Sequence, residues 1–382
     1  LVGPDIELSG ATQDSREVLP GNLFIPLISQ RDGHDFIKEA LEAGAGAYIT
    51  SKEPGPGTCI RVIDTSFALV SLGATVRGSL SCPVVGITGS VGKTSVKDMV
   101  ATILKPLGSV HASLRSFNNQ IGVPLTLLNA PTNSAAVIVE LGARMEGDIK
   151  KLCDITRPDL GVVTTVGAAH TEIFGSIETI VRAKGELLEK LPVTGCAVLN
   201  ADIPEVIGMA NRTRAPVLTF GERGEVRARL VTLDDQLRPS FRLESPWGRE
   251  EVKLNARGAH MVSNALAASA VGLFLGLTLN ELSENLSQVQ LSPWRMEIKT
   301  TSSGFVVIND TYNANPVSMT AALDSLAELP GNGRRVAVLG LMAELGGYTK
   351  EAHALIASQA KALGIEIISI HNFLGCEKSF CV

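Results

Sequence analysis

The run Gly86-Ile87-Thr88-Gly89-Ser90-Val91-Gly92-Lys93-Thr94-Ser95 stands between an apolar stretch, Pro83 to Ile87, and a helix-length segment. A phosphate loop needs that context. Its glycines let backbone N–H groups turn toward phosphate oxygens, and the helix N-terminus adds its positive end. A lysine at position 93 reaches the terminal phosphates, and the Thr94 hydroxyl can ligate Mg²⁺. Strict Walker spacing would place a glycine at position 87, where isoleucine stands, so the loop is a shortened G-x-x-G-K-T variant. The competing reading is an ordinary glycine-rich turn between strand and helix.

Five further groups of residues are candidates for chemistry. Ala136 to Val139 form a buried-strand pattern that ends in Glu140, an oxygen ligand for Mg²⁺ or simply a solvated strand end. Gly161 to Val166 lead to His170 at the mouth of the same sheet, where open α/β folds collect ligands. His170 reads as a metal or phosphate ligand, or as a structural histidine. Lys184, in Arg182-Ala183-Lys184-Gly185-Glu186, reads by itself as a solvated helix lysine, and Asn118 and Asn119 present amides or make Asx turns. Asp310-Thr311-Tyr312-Asn313-Ala314-Asn315-Pro316 follows a strand and precedes a helix that Pro316 can open. It is either a site or a capping turn.

The elements that must hold these residues alternate short β-branched runs with amphipathic segments, which predicts an α/β chain with largely parallel sheets. Boundaries are expected near Ser81 and Ser292, giving domains 1–80, 81–292 and 293–382. The central block has strand runs at 83–87, 136–139, 161–166, 197–199 and 217–220, then an alternating, charged stretch between Glu225 and Leu254 that predicts a small antiparallel excursion. The last block offers only three strand runs, at 306–308, 336–339 and 365–370, and is expected to be an incomplete doubly wound domain. With 382 residues, 45% of them hydrophobic, and 34 Lys and Arg against 39 Asp and Glu, the chain predicts a globular protein with no bulk basic field for nucleic acid. No apolar run is long enough to span a membrane, and the beginning lacks a secretory pattern, so a cytoplasmic location is expected. The scattered cysteines make no zinc or redox spacing.

Taken in order, these motifs resemble the Mur ligases from about Asp14 to about Ile370. In that family G-x-x-G-K-T is the ATP loop. The resemblance implies three domains around a central phosphate-loop sheet, with ATP and Mg²⁺, two ions by expectation, as the requirements. Gly89, Ser90, Val91, Gly92, Lys93, Thr94 and Ser95 would hold ATP together with Asn264, Arg295, Asp310, Tyr312 and Asn315. Ser116-Phe117-Asn118-Asn119 matches the substrate loop, and Glu140 the Mg²⁺-binding strand end. His170 matches the family's metal-proximal histidine. Lys184 matches a lysine carbamylated in many members, which turns a cation into a metal-binding carboxylate and reverses its bland reading. Lys93, Lys184 and His170 are thus the expected catalytic residues, and Thr94, Glu140, His170 and carbamylated Lys184 the metal ligands.

The N-terminal strings Asp14-Ser15-Arg16, Pro20 to Phe24 and Arg31 to Phe36 resemble the domain that binds a UDP-sugar in the branch adding D-alanyl-D-alanine, so Ser15 and Arg16 would face the UDP end. The implied partners are UDP-N-acetylmuramoyl-tripeptide and D-alanyl-D-alanine, with the protein a monomer. A sister ligase, a folylpolyglutamate synthase or a non-catalytic nucleotide-binding fragment are the alternatives. Family members continue past the point where this chain stops.

Overall fold

The computed structural model describes residues 1–167 and 174–370. The N-terminal part is a four-stranded parallel sheet, β1 (Ala11–Thr12), β2 (Leu23–Phe24), β3 (Ala47–Thr50) and β4 (Cys59–Arg61), in that order. Helix α1 (Ile37–Glu42) and helix α2 (Thr65–Ser79) accompany it, the latter capped by the Asp64 carboxylate on the Phe67 N–H. Ile25, Ile49 and Leu69 are buried in its core.

The central sheet has six strands: β5 (Val84–Thr88), β6 (Val110–Ala112), β7 (Ala136–Glu140), β8 (Leu160–Val163), β9 (Cys196–Asn200) and β10 (Val217–Phe220), ordered β10-β9-β8-β5-β7-β6. All neighbouring pairs are parallel. Apolar residues line both faces because both are covered. Val85 and Ile87 face one core, and Val84, Val137 and Val139 the other. Helix α3 (Lys93–Ile103) buries Val96, Met99, Val100 and Ile103, an i, i+3, i+4, i+7 stripe. Helices α4 (Gly122–Leu128), α5 (Asp148–Thr156), α6 (Ile177–Glu189) and α7 (Pro204–Ile207) complete the connections.

A three-stranded antiparallel sheet follows, β11 (Arg227–Leu233), β12 (Pro239–Ser245) and β13 (Gly248–Lys253), as the alternating charges predicted. Helix α8 (Met261–Phe274) packs its alanines, Ala265 and Ala268 among them, into the core that α3 shares, and helix α9 (Leu279–Leu286) follows.

The last part differs from expectation. Val306–Asn309 (β15) does not join a parallel sheet. It pairs antiparallel with Glu297–Thr300 (β14), a strand with too few apolar residues to announce itself. Among the described residues of this part, β16 (Val336–Leu339) and β17 (Glu366–Ser369) pair in parallel, flanked by helices α10 (Pro316–Glu328) and α11 (Thr349–Ala362). No helix among the described residues is long and apolar enough to cross a membrane.

Candidate active site

The chain runs from β5 out to β6, returns to β7 on one side of β5, and then places β8 on the other. That reversal opens a crevice at the strand C-termini, where α/β sheets bind ligands. The turn from β5 into α3 lies in it, Glu140 ends β7, and Thr164 and Thr165 follow β8. The crevice is part of an 820 Å³ cavity that also reaches Ser66 and Val70 on α2, His260 and Asn264 at the start of α8, and Arg295, Asp310, Tyr312 and Asn315. All three parts of the chain therefore contribute to one space.

The loop is held from the β8 side. Ser90 N–H donates to the Thr165 carbonyl at 2.9 Å and Val91 N–H to the Thr165 hydroxyl at 2.9 Å, while the Thr164 hydroxyl donates to the Val91 carbonyl at 2.6 Å. At Gly89 a Cβ would lie 1.9 Å from Thr164 Oγ1, and at Gly92, with φ of 85°, it would lie 2.7 Å from Asn264 Oδ1. The positive φ at both positions strains any side chain there, and at Gly89 one would also have to displace Thr164. Lys93 Nζ folds back onto the Gly89 carbonyl at 2.8 Å. Burial pulls its ammonium below the usual lysine range, with the charge of Glu140 opposing and that of Arg295 adding.

Thr94 is the hub. Its hydroxyl donates to Glu140 Oε2 at 2.7 Å, accepts from Arg295 Nη2 at 2.9 Å and lies 3.2 Å from Ser116 Oγ. Glu140, 1% exposed, also accepts from Asn118 Nδ2 at 2.8 Å. Arg295 stacks its guanidinium 4.3 Å above the Tyr312 ring. One buried carboxylate and two hydroxyls form an all-oxygen set, which suits Mg²⁺, an ion that takes one or two carboxylates and completes its shell with waters and phosphates. No group of three His, Cys, Asp or Glu side chains converges among the described residues, so the donors fit such an open site rather than a closed metal cage.

Lys184, read alone as a solvated lysine, is 5% exposed and lines the cavity. Burial pulls its amine well below the usual range, and the nearby Lys93 charge adds to this. Burial likewise pushes the Asp310 carboxyl up to about 6, although it accepts the Met296 N–H, and holds His260 down at about 4.

Several expected site residues do other work. Asn119 Oδ1 accepts the N–H groups of Ile121 and Gly122, an Asx turn at the start of α4, so only Asn118 reaches the cluster. Asn315 caps α10 in a reciprocal pair with Ser318, the capping alternative, while still lining the cavity. Ser15 and Arg16 lie outside the cavity: Ser15 bonds Glu39, and the exposed Arg16 forks onto Asp14. His170 lies outside the described residues. Thr164, Thr165 and Ser90, which pairs with Gly167 at 3.1 Å, were not legible as loop supports, because nothing in sequence marks which strand end faces a loop.

A strand, phosphate loop and helix at a sheet's switch point, joined by an arginine from the following domain, define a nucleotide-dependent group-transfer enzyme. Residues 87–272 match the Mur ligase middle domain and residues 294–370 the Mur ligase glutamate ligase domain. The UDP-N-acetylmuramoyl-tripeptide–D-alanyl-D-alanine ligase of Escherichia coli (strain K12) is 37% identical over 377 residues, covering 96% of this chain and 82% of that protein. MurF from Acinetobacter baumannii superposes with a TM-score of 0.88 at 31% identity, over 97% of this chain and 82% of that one. MurF ligase from Thermotoga maritima, solved in complex with ADP, gives 0.82 at 30% identity, over 94% and 84%. The chain belongs to the Mur ligase family.

Proposed function

We propose that this protein is an ATP-dependent ligase that joins D-alanyl-D-alanine to UDP-N-acetylmuramoyl-tripeptide in peptidoglycan precursor synthesis, releasing ADP and phosphate. The observation that carries this reading is the convergence of Lys93, the Thr94–Glu140 pair and Arg295 in one cavity, in a chain 37% identical to an enzyme named for that reaction.

In the first step the terminal carboxylate of the tripeptide attacks the γ-phosphate of ATP, forming an acyl phosphate and releasing ADP. In the second, the dipeptide amine attacks the acyl carbonyl, an amide bond forms, phosphate leaves with the bonding pair, and the proton lost from the nitrogen passes to the departing phosphate or to a nearby base. Bringing a carboxylate against a triphosphate concentrates negative charge, so positioning and neutralisation supply most of the acceleration. Lys93 leaves the Gly89 carbonyl for the β- and γ-phosphates, and the loop N–H groups at the start of α3 face the same oxygens. Thr94 and Glu140 would hold Mg²⁺, which when bound offsets the charge developing on the transferred phosphoryl group. Arg295 approaches the phosphates from the third domain, with Tyr312 steadying its plane and Asn264 and Asp310 facing the nucleoside.

Lys184 is the proposed carbamylation site. Only a neutral amine adds CO₂, and a buried lysine with a depressed pKa is neutral over a usable range. The resulting carboxylate, with His170, would serve a second Mg²⁺. Ser15 and Arg16 would meet the uridine end of the substrate, with Ser116 and Asn118 near its peptide end. We place the domains at 1–80, 81–292 and 293–382, and the enzyme as a monomer in the cytoplasm.

The test is ATP-dependent phosphate release with UDP-N-acetylmuramoyl-tripeptide, adding D-alanyl-D-alanine, single amino acids or glutamate in parallel. Release that requires both the muramoyl tripeptide and the dipeptide is expected. Equal release with a single amino acid would assign a sister reaction, and nucleotide binding without release would reduce the reading to a binding fragment.

A further inference from the structure

The helix behind the phosphate loop carries two sequestered charges that the proposed chemistry does not use. Lys97 and Asp98 lie one turn beyond Lys93 and Thr94, with side chains 3% and 13% exposed and 3.3 Å apart. Removing a lysine ammonium from water is unfavourable unless its donors are satisfied. Here they are satisfied by backbone: Lys97 Nζ donates to the carbonyls of Ser113 and Arg115, each at 2.8 Å. Asp98 uses its second oxygen, Oδ2, to accept the Ser292 N–H at 2.7 Å. Main-chain partners mean that the pair fixes the course of two segments rather than the orientation of two side chains.

Both segments lead into the site. The first runs from Ser113 to Asn118. The Ser113 hydroxyl accepts the Glu140 N–H at 3.3 Å, Ser116 meets Thr94, and Asn118 meets Glu140. Within it Arg115 has a φ of 48°, a left-handed conformation that a non-glycine residue keeps only when its surroundings hold it. The second runs from Ser292 to Arg295, whose guanidinium reaches the Thr94 hydroxyl.

We propose that Lys97 and Asp98 are a positioning pair that locks the Ser113–Asn118 loop and the Ser292–Arg295 linker to the helix carrying Thr94, and so sets the spacing of the oxygen donors around the magnesium seat. The pair touches neither nucleotide nor substrate. The inference rests on the phosphate-loop reading and goes beyond it by assigning the donor spacing to residues outside the cavity.

Calorimetric titration of ADP into the full chain over a series of Mg²⁺ concentrations tests it without any need for turnover. Lys97→Met removes the ammonium at nearly constant volume. Asp98→Asn keeps an acceptor for Ser292 but removes the ion pair. The expected result is a rise of about 10–100-fold in the Mg²⁺ concentration that half-supports ADP binding for Lys97→Met, and a smaller rise for Asp98→Asn, with cooperative melting retained. A folded Lys97→Met whose Mg²⁺ midpoint matches the parent, whatever its melting temperature, would overturn the proposal. If Lys97→Met does not fold, Asp98→Asn decides, and a midpoint within about twofold of the parent counts against it. A parent protein that binds no ADP at any Mg²⁺ concentration would remove the phosphate-loop reading itself, an outcome distinct from either.

Discussion

Two lysines that share a cavity make opposite demands on their surroundings. In the proposed chemistry Lys93 would have to be charged to serve a triphosphate and Lys184 neutral to take up CO₂, and burial depresses both. Lys93→Ala should therefore lower ATP-dependent turnover by at least about 100-fold, as loss of a preorganised charge stabiliser does. It should not lower the melting temperature, since it removes a desolvated cation; unchanged turnover would sink the assignment. ¹³C-bicarbonate should give a carbamate resonance in the wild-type protein and none in Lys184→Gln. His260, held down at about 4, works through pH. Its folded value lies below the unfolded value of about 6.5, so its contribution to stability is present above 6.5 and lost as pH falls through 4. Asp310, raised to about 6, acts in the opposite sense, its contribution being present below about 3.8 and lost as pH rises through 6. Urea unfolding from pH 7 to pH 4 should show His260→Gln losing less stability than the parent, by up to about 3 kcal/mol; identical slopes would remove the histidine from the account. At this scale Lys93, Thr94 and Glu140 were legible because loop spacing and a carboxylate at a strand end state their own context. Lys97 was not, because a lysine in an amphipathic helix looks solvated until the fold shows which carbonyls it meets.

Elements were legible where hydrophobic period and length agreed. The strand at 217–220 and the antiparallel excursion lie where the sequence puts them, to within a residue or two. Three strands were missed, the two-residue Ala11–Thr12 and two others that share one physical reason. Val110–Ala112 is a three-residue edge strand, and Glu297–Thr300 has one apolar residue, Ile298, and is paired on one side only, so neither has to bury enough surface to leave a pattern. Missing β14 also misassigned β15, whose partner decides whether it runs antiparallel. Between the first two sheets, an amide side chain stands in for a strand partner: Asn129 accepts the Ala11 N–H at 3.0 Å and donates to its carbonyl at 2.9 Å. Asn129→Ala should orphan both backbone groups and cost about 2 kcal/mol. Amide hydrogen exchange at Ala11 and Leu23 should rise accordingly; no change there would mean that water replaces the side chain at no cost.

Across the whole molecule the joints are unequal. The first two parts are tied by Asn129 and by Arg77, which donates to the carbonyls of Thr156 and Arg157 and pairs with Asp159. The third part is reached through one covalent passage containing Trp294 and Met296, both with positive φ, at 63° and 50°. Ile308 and Ala322 rest against the central core. Saturation with ADP and Mg²⁺ should change this passage most. In Trp247→Phe, which leaves Trp294 as the sole tryptophan of the two, emission should shift on ligand addition; a constant spectrum at saturation would mean that the passage does not rearrange. The Arg295 contact with Thr94 adds one more property to this arrangement. The guanidinium already rests on the hydroxyl that nucleotide and metal would claim in the proposed function, so on that reading loading the enzyme and unloading it would both pass through the same small movement. A compound wedged beneath Arg295 would stall entry and exit together while resembling neither the sugar nucleotide nor the peptide.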